Sequence, residues 1–215
     1  MSRFRESLIE LIRRTSAEIP DDVQTAILRG LEKEKEGTIA KSALEIIERN
    51  IGLAKSKSQP ICQDTGSILF YIDCSVGMNQ VEFEQEAREA VKEATKLGYL
   101  RQNSVDSVTG KNDGTNLGPG SPNLHFHQHT SDEISVRLVL KGGGCENVGA
   151  QFSLPNTKLA ADRDLDGCRK VILEAVHQAQ GKGCGPGVLG VCIGGDRASG
   201  YEFSKREFLR RLDDR

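Results

Sequence analysis

The apolar residues of this chain keep helical spacing through its first third and change to a strand pattern at Ser67, and that order limits the folds open to it. Leu8, Leu11 and Ile12 form one helical stripe. Pro20 and Asp21 open a second helix, which passes through Leu28 and Leu31 and closes at Gly37. A third runs from about Thr38 through Leu44, Ile47 and Ile51 to Leu53. Residues 67–74, SILFYIDC, are rich in aromatic and β-branched types and read as a buried strand. Helical spacing returns over 81–97, with Ala87, Ala90, Val91 and Ala94 on one side.

Beyond this the chain alternates between turns and short elements. Residues 104–122 are too rich in turn formers to hold regular structure for long. Residues 124–129 and 134–140 read as a pair of strands, 165–180 as an amphipathic helix, and 188–193 as a short buried strand. Ser204 and Glu207 fit a capping box, with Phe203 and Phe208 at the staple positions, so a last helix is expected from there to Leu212. Helices first, then mixed strands and helices, imply an α/β (mixed α+β) fold: a helical segment over about 1–58, then a small mixed sheet flanked by helices. The 215 residues are read as one domain.

Charge narrows the function classes. The formal net charge is -2, with Lys and Arg spread along the chain, so no basic stripe suggests nucleic acid. Charges thread the N-terminal apolar residues, and no apolar run reaches membrane-spanning length. The expected compartment is the cytoplasm, where thiols stay reduced. The six cysteines, at 62, 74, 145, 168, 184 and 192, are therefore read as buried small hydrophobes, metal or cluster ligands, or a nucleophile. No C-x-x-C pair occurs, and spacing alone does not identify a cluster.

Several strings carry possible chemistry. PICQDTG at 60–66 places a thiol, an amide, a carboxylate and a hydroxyl within four residues, just before a strand. It reads either as a binding loop or as a polar turn with a buried cysteine. Arg101 follows the helix over 81–97 and is either a carboxylate clamp or a solvated helix-end charge. The glycines at 142–144 follow a strand and lead into Cys145, Glu146 and Asn147, as an anion-binding nest or a flexible turn. Residues 181–187, GKGCGPG, hold Cys184 in a loop with little steric cover. Gly185, Gly187 and Gly190 fit a dinucleotide fingerprint by spacing, but they precede a strand pattern instead of opening a helix, so that reading is rejected. His125, His127 and His129 alternate along a strand; a polar strand face suits them better than a zinc site. Cys74, Cys168 and Cys192 lie in strand or helix patterns and look like packing residues.

Taken in order, PICQDTG at 60–66, LRQNS at 100–104, GTNLGPGSP at 114–122, KGGGCEN at 141–147, GCGPG at 183–187 and IGGDRA at 193–198 resemble the N-terminal region of the class I fumarate hydratases. The alpha subunits of L(+)-tartrate dehydratase share that resemblance. It implies a hydro-lyase with a [4Fe–4S] cluster held by three cysteines, acting on a small dicarboxylate such as fumarate, the tricarboxylic acid cycle substrate. L(+)-tartrate is the alternative substrate, and a non-catalytic metal- or cluster-binding fragment is the alternative role. Residue by residue, the resemblance makes Cys62 and Cys184 cluster ligands. Gln63, Asp64, Arg101, Gly144 and Asn147 become substrate-contacting positions, with Asp64 in the acid role. The family's third cluster cysteine lies downstream of Arg215, as does the beta-type domain or subunit that supplies a catalytic base. The resemblance thus implies an alpha-type chain truncated at its C-terminus, acting in a homo- or hetero-oligomer.

Overall fold

The computed structural model describes residues 2–212. The chain divides into two compact units, one of Met1–Lys141 with the residues from Arg211 onward, the other of Gly142–Arg210.

The first unit opens with α1 (Arg3–Ala17), α2 (Asp21–Lys33) and α3 (Ile39–Lys57). Ser2 caps α1 by accepting from the Arg5 N–H, and Thr38 caps α3 by accepting from that of Lys41. Each satisfies an amide that the first turn leaves without a helical partner. The helix α2 ends at Lys33, four residues before the expected stop; Gly37, at φ +78°, shapes the link to α3 instead. Next come β1 (Ser67–Ser75), α4 (Gln80–Lys96), β2 (Asn123–His129) and β3 (Ser135–Lys141).

The sheet order is β2-β1-β3, with β1 parallel to β2 and antiparallel to β3. The strands expected at 124–129 and 134–140 both form, but they do not pair with each other. A strand as apolar as β1 must satisfy the backbone groups on both of its edges, so it takes the centre. The register runs from Leu69 opposite Asn123 to Ser75 opposite His129, and from Ser67 opposite Lys141 to Asp73 opposite Ser135. Ile68, Phe70, Ile72 and Cys74 alternate onto one face and pack on Leu8 and Ile12 of α1 and on Phe83, Ala87, Ala90, Val91 and Ala94 of α4. Each large side chain fully buried there contributes about 1.5–3 kcal/mol. The alanines bring α4 close to the strand, and Phe83 meets Phe4 and Phe126 edge-on at 5.1 and 5.6 Å.

The second unit holds α5 (Gly143–Asn147), α6 (Leu165–Ala179) and α7 (Arg197–Arg206). Asp164 caps α6 through the Gly167 N–H, and Asp196 caps α7 through those of Ala198 and Ser199. Two expectations fail here. Residues 188–193 form no strand: Val188, Leu189, Val191 and Ile193 are exposed. A short apolar run becomes a strand only where a neighbour pairs its backbone. Here Gly190 lies against the Ser204 carbonyl, so tightly that a Cβ would stand 1.9 Å from its oxygen. The second failure is the capping box at Ser204 and Glu207. The helix starts earlier, at the stronger Asp196 cap, so Ser204 is interior and its hydroxyl donates to the Tyr201 carbonyl. A 3₁₀ turn follows over Glu207–Leu209. No helix among the described residues is long and apolar enough to cross a membrane.

Candidate functional site

The loop Cys62-Gln63-Asp64-Thr65 enters β1, and it folds back on itself: the Asp64 N–H donates to the Cys62 sulfur at 3.4 Å. Cys62 and Gln63 are exposed and Asp64 is half-buried, while Thr65 is buried. Arg101 lies just after α4, beyond a turn at Gly98 (φ +80°) and the buried Leu100. Its side chain is exposed.

Two segments far apart in sequence meet at Thr65. The Arg101 N–H donates to the Thr65 hydroxyl at 3.1 Å. The Thr65 N–H donates to Asn103 Oδ1 at 3.0 Å, and Asn103 Nδ2 donates to the Gln63 carbonyl at 3.3 Å. Asn116, from the turn-rich segment, completes the arrangement. Its Nδ2 donates to the Arg101 carbonyl at 2.8 Å and to Thr95 Oγ1 at 3.1 Å, and its Oδ1 accepts from the N–H groups of Asn103 and Ser104, both at 3.1 Å. The strings CQDTG, LRQNS and GTNLGPGSP therefore meet at one place, with Cys62, Gln63, Asp64 and Arg101 carried on the joined segments. Sequence reasoning did not single out Thr65, Asn103 or Asn116. Their only mark in the sequence is that each lies inside one of those strings.

In the second unit, Gly142 precedes α5 and caps it without a side chain, so the triple glycine opens a short helix and is not a free turn. Gly143, Gly144, Cys145 and Asn147 are exposed, and Lys205 of α7 anchors Glu146 at 2.6 Å. The Cys184 loop comes beside α5: a Cβ on Gly183 would stand 3.6 Å from Val148 Cγ2 and 3.9 Å from the Gly144 carbonyl. Added Cβ atoms on Gly144, Gly185 and Gly187 would meet open space. The loop's glycines leave room around an exposed thiol.

The remaining cysteines and the histidines fall elsewhere. Cys74 is fully buried in the core, and Cys168 and Cys192 are half-buried. His125 stacks on Tyr71 at 4.8 Å and His129 Nδ1 lies 3.0 Å from the Ser131 hydroxyl. Among the described residues, no group of three or more His, Cys, Asp or Glu is placed to hold a metal ion.

Comparison with known proteins adds a family. The family model described as fumarate hydratase (Fumerase) matches residues 5–215. A Geobacillus stearothermophilus protein assigned by name to fumarate hydratase class I is 49% identical over 217 residues, which are 100% of this chain and 42% of that protein. A Methanocaldococcus jannaschii protein assigned as L(+)-tartrate dehydratase subunit alpha is 32% identical over 219 residues, 99% of this chain and 74% of the relative. The L(+)-tartrate dehydratase subunit alpha of Escherichia coli K12 is 25% identical over 217 residues, 100% of this chain and 70% of its own length. The chain thus spans less than half of the first of these relatives and about three quarters or less of the others.

Proposed function

The chain belongs to the fumarate hydratase family, and from that premise we propose that it is the alpha-type part of a hydro-lyase that adds water to fumarate to give L-malate. One observation carries the reading: the bonds among Thr65, Asn103 and Asn116 join the segments that carry Cys62, Gln63, Asp64 and Arg101.

The donor chemistry suits an iron–sulfur cluster. Cys62 and Cys184 are exposed thiols, and the open space over Gly185 and Gly187 admits a bulky inorganic group beside Cys184. These two residues would supply two of the thiolates that hold a [4Fe–4S] cluster. When bound, such a cluster supplies a Lewis-acidic iron with an open position for substrate oxygen. The remaining steps belong to the chain's own residues. Arg101 presents a planar two-donor fork that fits one substrate carboxylate. Gln63 and Asn147 add amide donors, and the open space over Gly144 leaves room for the substrate. Hydration breaks one O–H bond of water and the C=C π bond of fumarate, and forms one C–O and one C–H bond. Asp64 handles a proton at the oxygen that becomes, or leaves as, the hydroxyl.

A second substrate is favoured by the two alpha-subunit relatives, whose names give L(+)-tartrate. Fumarate ranks first because the 49% identical relative carries the fumarate hydratase name. The test is a side-by-side anaerobic assay of the assembled enzyme on both diacids. Malate formation from fumarate with slower turnover of tartrate is the expected result. Tartrate turnover alone would reverse the ranking, and turnover of neither would sink the reading.

A further inference from the structure

We infer that Asn103 and Asn116 are positioning residues, which fix Arg101 relative to the Gln63–Asp64 loop. The inference deepens the proposed function and rests on it for what the fixed residues do.

Asn116 is 2% exposed, and its φ of +59° lies in the left-handed region, which asparagine tolerates better than most side chains. Its amide has two donor hydrogens and an oxygen with two lone pairs, and the four bonds described above use all of them. One of its anchors is secure. Thr95, at the end of α4, receives one Asn116 donor and passes its own proton to the Val91 carbonyl at 2.7 Å. From that buried point the bonds run outward to the Arg101 carbonyl and the Asn103 N–H. Asn103 then relays the constraint, accepting from both the N–H and the hydroxyl of Thr65, at 3.0 and 3.2 Å, and donating to Gln63. The bonds made to the two displaying segments are to the backbone of Gln63 and Arg101 and to Thr65 between them. None of these bonds uses the side chain of Gln63 or Arg101. An amide pair that holds the backbones of Gln63 and Arg101 while leaving their exposed side chains out of the network is arranged to set their spacing. A misplacement of the order of 1 Å can cost roughly 10²-fold in rate.

Two measurements test this, and they fail independently of each other. The first needs no turnover. The 215-residue chain is treated with iodoacetamide under native conditions and the modified peptides are resolved by mass. Exposed Cys62 neighbours the held loop, exposed Cys184 is an internal reference, and buried Cys74 reports global opening. Asn116→Gly keeps the positive φ and deletes the amide; Asn103→Ala deletes the relay. Both should raise the Cys62 rate several-fold with Cys184 unchanged and Cys74 unreactive. An unchanged ratio of Cys62 to Cys184 overturns the proposal. Reactive Cys74 in both variants also overturns it, by assigning the amides to the fold as a whole. The second measurement is kinetic, in the assembled enzyme. Both variants should lose about 10²-fold in kcat/KM. Asn116→Asp, which keeps the acceptor bonds to Asn103 and Ser104, should recover part of that loss. Parent-like kcat/KM in Asn116→Gly, alongside an impaired Arg101→Lys, overturns the positioning role and leaves the proposed function standing. Parent-like activity in both Arg101→Lys and Asp64→Asn removes the proposed function, while the alkylation ratio still decides whether the amides hold the loop.

Discussion

In Met1–Lys141 the residues that display chemistry sit above a core of aromatic and branched side chains, whereas in Gly142–Arg210 they ride on glycine turns with little buried beneath them. The first unit buries Leu8, Ile12, Phe70, Ile72, Phe83 and Val91 almost completely. In the second, Ala161, Gly167 and Val171 are the buried residues among those described. Support follows the same division. Gln63 and Arg101 are held by side-chain amides, and that of Asn116 is fully bonded. Gly144 and Cys184 ride on glycine turns where an added Cβ meets open space at 144, 185 and 187 and only ordinary contact at 183. A site group can thus be held by a polar network on a core or carried on an open glycine loop. The two should fail differently under mutation.

The largest effect should come from the chemistry carried by the first unit. Asp64→Asn in the assembled enzyme is expected to lower kcat by about 10²–10⁴-fold, the usual worth of a positioned acid or base. The thermal midpoint should hold, since the change is isosteric. Kinetics and a melting curve on one preparation check both halves, and full activity would take Asp64 out of the mechanism.

Stability should separate the units next. Phe70→Ala removes a fully buried ring from the sheet core and should cost about 3–5 kcal/mol, read by denaturant titration. Gly190→Ala forces a Cβ onto the Ser204 carbonyl and should cost less, about 1–3 kcal/mol. Hydrogen exchange should place the Gly190→Ala loss within Gly142–Arg210. Equal losses spread over both units would break the contrast.

Arg101→Lys comes third. A point charge cannot reproduce the guanidinium fork, so KM for the diacid should rise by roughly tenfold with little change in melting temperature. An unchanged KM would return Arg101 to a solvated surface charge.

The legible part of the fold was the part whose pattern and packing agree. The aromatic and β-branched run at 67–74, and the alanine face of α4, could be read directly because the same residues form the core. What failed lay where local pattern had no tertiary partner. The run at 188–193 looked like a buried strand, yet Gly190 packs on a helix carbonyl and, among the described residues, no strand pairs with the run. Ser204 and Glu207 had capping spacing, but Asp196 started the helix first. Strand order was out of reach for a similar reason, because the central place of β1 depends on pairing between segments over fifty residues apart. For the site, the motif strings named the displayed residues. The amides that hold them stayed silent, since Asn103 and Asn116 look like ordinary turn residues until their partners are in place.

The smallest effect concerns the anchoring of α1 on α4. Arg5 donates to Glu86 at 2.8 and 3.1 Å, and the hydrogen bonds from Arg5 and Ser2 hold the Glu86 carboxyl below its ordinary range. A depressed folded pKa means the stabilisation is complete above the ordinary glutamate value and is lost as pH falls through the folded one. Arg5→Ala should therefore melt slightly below the parent at neutral pH. The two curves should converge in acid, once Glu86 is protonated in both states. A gap that persists at low pH would assign the Arg5 contribution to packing of its stem.

The most direct test of the central claim is fumarate hydration under strict anaerobiosis, measured on the chain reconstituted with iron and sulfide, alone and as a chain extended past Arg215 with a beta-type companion. Little stable cluster and no measurable malate are expected from the chain alone. With the companion, cluster absorbance and steady turnover are expected, both abolished by Cys62→Ser or Cys184→Ser. Robust malate formation by the isolated chain would contradict the companion's role, and turnover that survives both serine variants would contradict the cluster site itself.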